Sequence, residues 1–190
     1  MQKTCLALLL ATLALPATAQ SVDTPGLKRA IVGQWASAAP EAYDHIFATR
    51  QFHITPKRWG VLFKVYADAA GTQPLFHLNV GGPYTLGGPS AKVDSATEGI
   101  FPADHRLITA DSPAGVQLFA SQGCTLQQGK ALPLVQQGCG FVPGLMQNMG
   151  EYDLVAIKNG QLFLGDRHGD LSKARPDKLT PYPLLRQASR

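Results

Sequence analysis

Apolar and polar residues alternate with a period of two along much of the chain, and that alternation predicts strands. The longest clean series is Trp59, Val61, Phe63, Val65 and Ala67, set against Gly60, Lys64 and Asp68. Phe76, Leu78 and Val80 repeat it against His77 and Asn79. Ile46, Ala48, Phe52 and Ile54 alternate with Phe47, Thr49, Gln51 and His53, and Arg50 falls on the apolar side. The strongest local signal is Asn159-Gly160. A type I′ turn needs positive φ at both central residues, which Asn tolerates and Gly adopts freely. That turn pairs Lys158 with Gln161, Ile157 with Leu162, Ala156 with Phe163 and Val155 with Leu164. Val155, Ile157, Leu162 and Leu164 then share one face of a half-buried hairpin, and a slip of one residue would scatter them.

Shorter elements fill the rest. Leu27 to Val32 reads as a helical turn, and Gly33-Gln34-Trp35 opens a strand that runs to Ser37. A Gly-x-Trp of this kind begins the first strand of lipocalins. Ala38 to Asp44 reads as loop or short helix around Pro40, and Thr55 to Arg58 as a turn. Gly81-Gly82-Pro83 and Gly87-Gly88-Pro89 punctuate the chain on either side of a short strand at Tyr84 to Leu86. Further short strands are expected at Ala91 to Ser95, Thr97 to Phe101, Arg106 to Thr109, Val116 to Ala120, Leu132 to Gln136 and Tyr182 to Leu185. About ten short strands with almost no helical periodicity indicate an all-β fold, either sandwich or barrel. With no repeat and no linker, residues 20–190 read as one domain.

The first 19 residues stand outside that domain. Lys3 gives a positive start, Cys5 to Leu15 is an apolar run, and Ala17-Thr18-Ala19 has the small-x-small spacing of a signal-peptidase site. The run is far shorter than the roughly 20 residues that span a bilayer. The expectation is an exported protein, periplasmic or secreted, with no integral membrane segment after cleavage. The formal charge of +4 is not gathered into a Lys/Arg block, so no nucleic-acid partner is expected. Past the leader only Cys124 and Cys139 remain, with no Cys-x-x-Cys spacing. In an oxidising compartment such a pair reads as a disulfide.

Motifs for chemistry are sparse. His45, His53, His77, His105 and His168 form no His-x-His or His-Glu-x-x-His, so no metal site is expected. His53 and His77 lie opposite the apolar series and read as solvent-facing. No Gly-x-Ser-x-Gly elbow and no phosphate-cradling Gly-rich loop are present. Asp166-Arg167-His168-Gly169-Asp170 is the densest polar run. It could serve acid–base chemistry, but reads first as a solvated loop with Arg167 paired to a neighbouring carboxylate. Glu98, Glu151 and Asp153 flank strands, and nothing in the sequence places two of them across a common cleft. The reading therefore assigns no catalytic residue and no cofactor.

Gly33-Gln34-Trp35 with Ser37 and Glu41, Thr49-Arg50, and the series Asp68, Pro74, Phe76, Gly82, Tyr84, Gly87 and Ser90 form an ordered set of short motifs. It continues through Thr97-Glu98, Phe101, Thr109, Cys139, Glu151-Tyr152-Asp153-Leu154 and Leu162-Phe163-Leu164-Gly165 with Arg167, then Arg175-Pro176 and Pro183-Leu184-Leu185. In this order and spacing the chain resembles one copy of the domain of the adenomatosis polyposis coli down-regulated protein family, whose animal members are extracellular Wnt antagonists. The resemblance implies an antiparallel, lipocalin-like barrel or half-barrel with an apolar pocket for an acyl chain. The family's usual cysteines near Pro40, Gly71 and Gln187 are missing, and one domain without a membrane anchor is expected here, where the animal proteins carry two domains and an anchor. Wnt as a partner is therefore not carried over.

The expected function is binding of an apolar, fatty-acyl-like molecule or an acylated protein. Phe52, Trp59, Phe63, Val65, Phe76, Leu78 and Phe101 are the expected ligand-binding residues. Filling a closed core is the usual outcome for such side chains, and pattern alone does not separate it from lining a cavity. Two other readings stand beside it: a protein-interaction module with a filled core, and a hydrolase or isomerase using the Asp166–Asp170 loop.

Overall fold

The computed structural model describes residues 24–148 and 150–188; the leader expected over residues 1–19 lies outside them. Twelve strands form one curled antiparallel sheet. In chain order they are β1 (Gly33–Ser37), β2 (Glu41–Tyr43), β3 (Ile46–Ile54), β4 (Arg58–Tyr66), β5 (Pro74–Pro83) and β6 (Thr85–Pro89). There follow β7 (Thr97–Ile100), β8 (His105–Ala110), β9 (Leu132–Pro133), β10 (Tyr152–Lys158), β11 (Gln161–Leu164) and β12 (Leu184–Arg186). Two short helices, α1 (Thr24–Ala30) and α2 (Pro113–Ala120), and a 3-10 turn at Leu145–Gln147 complete the regular structure. The sheet runs β6-β7-β10-β11-β12-β1-β3-β4-β5-β8-β9, with β2 end to end with β1 against β3. Its two ends do not pair, so the fold is a half-barrel.

The Asn159-Gly160 hairpin forms in the expected register, all four pairs included. Asn159 and Gly160 take φ of 52° and 73°, as a type I′ turn requires. The hairpin is not half-buried, however. Leu154 and Ala156, on the face opposite Val155, are sealed by Ala96 and flanked by Val93 and Leu179. Four local expectations also change. Val116 to Ala120 belongs to α2, whose start is set by Ser112 accepting from Gly115 N and by Pro113 in the first turn. Ala38 to Asp44 contains β2, and Ala91 to Ser95 is turn. Both Gly-Gly-Pro triplets lie inside strands, the ends of β5 and β6.

Two large apolar clusters result. The first is capped by α1: Leu27, Ile31, Trp35, Ile54, Trp59, Tyr84, Phe101, Val155, Leu162, Leu164 and Leu184 pack together. Trp35 Nε1 donates to Ile31 O at 2.8 Å, and the Arg186 guanidinium lies 4.2 Å above the Trp35 ring. The second lies under α2, where Phe76 meets Phe119 edge-on at 4.9 Å beside Val65, Ile108 and Leu134. The Cys124–Cys139 disulfide lies in this cluster, tying the turn that follows α2 to the loop around Cys139, with Cα atoms 5.2 Å apart.

Candidate functional site

Between the clusters the sheet curls around a cavity of about 330 Å³. Its apolar wall is built by β3, β4 and β5, whose alternation turns Phe52, Trp59, Val61, Phe63, Leu78 and Val80 inward. Five of the seven residues expected to bind a ligand line it: Phe52, Trp59, Phe63, Leu78 and Phe101. Phe101 packs edge-on to Trp59 at 5.8 Å and stacks on Tyr84 at 5.7 Å. Trp59 Nε1 donates to Pro102 O at 3.1 Å, which sets the indole plane. Val65 and Phe76 are not brought to the cavity; both are buried in the cluster under α2.

The other wall is polar, and sequence reasoning did not assign it to a site. Arg50, on the apolar side of β3, is buried and held by Glu41, with Nη2 to Glu41 Oε1 at 2.9 Å and to Tyr182 O at 2.8 Å. Glu41 also accepts from Ser37 Oγ at 2.6 Å and from Tyr43 OH at 2.5 Å. Tyr43 lines the cavity, and burial above all drives its phenol pKa well up, Arg50 working against the shift. Each carboxylate oxygen of Glu41 is thus engaged.

Glu151 and Asp153 share this one cavity, where no common cleft was expected. They follow from the hairpin's own alternation, since Val155 and Ile157 point inward and Asp153 and Glu151 lie on the same parity. Arg167 bridges them, bonded to Glu151 and 3.6 Å from Asp153. Burial opposes the charge on Arg167, but the two carboxylates outweigh it and raise its pKa. Asp153 is 4% exposed, and burial lifts its carboxyl pKa to about 6, against the pull of Arg167 and of the Leu154 and Gly165 amides. The expectation that Arg167 pairs with a neighbouring carboxylate therefore holds: its side chain is 43% exposed and reaches the cavity from the surface.

Arg106, inward on β8, is 8% exposed. Its guanidinium donates to Pro143 O at 2.8 Å and to Gly144 O and Asn148 O at 3.3 Å each. Burial lowers its pKa, with Glu151 opposing and Arg167 adding to the shift. Among the described residues no carboxylate lies within ion-pair distance of it. Asn148 also lines the cavity, and its Oδ1 is buried with no hydrogen-bond partner among the described residues.

The Asp166–Asp170 run contributes only Arg167 to the cavity. His168 is 84% exposed and bonded to Asp166, which also binds Lys178 at 3.0 Å. Asp170 pairs with Lys173 and Ser172. His53 is exposed as expected, but His77 is half-buried and bonded to Asp111 at 2.8 Å. Among the described residues, no group of three or more His, Cys, Asp or Glu is placed to hold a metal. Among them, too, no helix is long and apolar enough to cross a membrane. No protein-family model matches the sequence.

Proposed function

We propose that this chain is an exported binding protein whose half-barrel holds an apolar, fatty-acyl-like ligand. The observation that carries the reading is the 330 Å³ cavity with an aromatic and aliphatic wall. Burying an alkyl chain there contributes about 0.8 kcal/mol per methylene before ordering costs. The leader pattern over residues 1–19 and the Cys124–Cys139 bridge support export. Kinship with the adenomatosis polyposis coli down-regulated family is part of the same proposal. In its favour, the positions near which that family carries cysteines, Pro40 and Gly71, lie in contact: a Cβ on Gly71 would stand 3.0 Å from Pro40 Cγ. Solvent extraction of protein purified from its own compartment, with native mass spectrometry, is the test. Retained aliphatic molecules are the expected result; protein that yields none and binds no fatty-acid probe would overturn the reading.

Action through the surface is the second reading, favoured by the apolar residues Val135, Phe141 and Met146, each more than half exposed. An open cavity speaks against the filled core on which that reading was first built.

A further inference from the structure

The cavity contains three arginines, and their charges are met unequally. Arg50 is matched by Glu41, and Arg167 by Glu151 and Asp153. Among the described residues Arg106 bonds only to backbone carbonyls, three of them, whereas a guanidinium carries five N–H donors. A buried cation with no carboxylate within ion-pair distance is costly, and a ligand carboxylate offers it the strong, charge-assisted geometry. Directly across the hydrogen-bonded ladder from Arg106 stands Val80, itself paired with Val61 on β4. One ligand can therefore set an anionic head on Arg106 and lay an apolar tail along Val61, Phe63 and Leu78. Asn148 also lines the cavity there, with its own carbonyl on Arg106.

Volume sets the length of tail that the cavity itself can cover. At roughly 30 Å³ for each water- or methylene-sized group, a cavity of about 330 Å³ holds about ten carbons and a head. We infer that the ligand is a free, unbranched aliphatic carboxylate of medium chain length, its carboxylate on Arg106 and its tail against the β4–β5 wall. This deepens the proposed function and rests on it. A chain joined to a protein through an ester or amide has no such head, so the inference separates free acid from acylated partner.

Isothermal titration of the intact protein with decanoate, methyl decanoate, octanoate and hexadecanoate tests it. Decanoate is expected to bind at least about tenfold tighter than methyl decanoate, the worth of a charge-assisted hydrogen bond. Affinity is expected to climb from octanoate to decanoate and to gain little by hexadecanoate. In Arg106→Gln the preference for decanoate falls to within about twofold while methyl decanoate is held as before. Equal binding of decanoate and methyl decanoate by the wild-type protein would overturn the anionic head and leave the apolar cavity reading standing. Affinity still rising steeply to hexadecanoate would overturn the chain length. Binding of none of the four would overturn both inference and proposed function. Because Arg106 also holds the 143–148 backbone, the wild-type comparison decides should Arg106→Gln fail to fold.

Discussion

Glu41 and Arg50 are each about 4% exposed in their side chains, and neither has water to fall back on. Removing one member of such a pair leaves the other as a buried, unmatched charge, which costs about 3–5 kcal/mol. Glu41→Ala is accordingly expected to lower the free energy of unfolding by that amount, read from the midpoint of urea denaturation. Asp153 behaves differently because burial raises its pKa from 3.8 to about 6. The unfolded chain releases this proton near pH 3.8 and the folded chain holds it to about pH 6. Stability from this group is therefore greatest below pH 4 and declines as pH rises to 6, by about 3 kcal/mol. Asp153→Asn keeps an oxygen for the Leu154 and Gly165 amides and removes the titration. Its denaturation midpoints are expected to lack that slope between pH 4 and 6, relative to wild type.

At the level of elements, α2 illustrates why local pattern was not enough. Val116, Leu118 and Ala120 alternate as a strand would, whereas Ser112 and Pro113 carry the start signal of a helix, which the strand reading left out. Gly115 then decides how closely the helix lies on the sheet, since a Cβ there would stand 1.8 Å from Leu75 O. Helix propensity favours alanine by about 1 kcal/mol, and overpacking against a backbone oxygen costs about 1–3 kcal/mol or more. Gly115→Ala is expected to destabilise by about 2 kcal/mol net, measured by denaturation. Elsewhere alternation was sufficient: β3, β4, β5 and the β10–β11 pair lie where their period of two put them. The polar wall was partly legible as well. Arg50 already stood out on the apolar side, and continuing the Val155–Ile157 parity backwards reaches Asp153 and Glu151. Arg167 was hidden because Gly165 and Asp166 leave the strand and pair with Leu179 and Lys178, breaking the alternation. Val65 and Phe76 carry the same period as the cavity residues; only the position of α2 places them in a filled region.

For the molecule as a whole, the curled sheet leaves one cavity wall greasy and the other charged, which couples occupancy to stability. A ligand at about a hundredfold its dissociation constant adds about 2.7 kcal/mol to the folded state. For a chain of this size that corresponds to a rise of roughly 5–10 °C in Tm, expected with decanoate in scanning calorimetry. The same coupling runs through the Cys124–Cys139 bridge. Cys139 exchanges backbone hydrogen bonds with Val142 at 2.8 and 3.0 Å, and Val142 and Pro143 are part of the cavity wall. Cutting the sulfur link frees the very loop whose carbonyls seat Arg106. Under the proposed function, grip on a bound aliphatic acid is therefore expected to track the electron supply of the compartment: a chain stranded among cellular thiols would hold decanoate more loosely than one matured outside them, and titrations with and without dithiothreitol would read the difference.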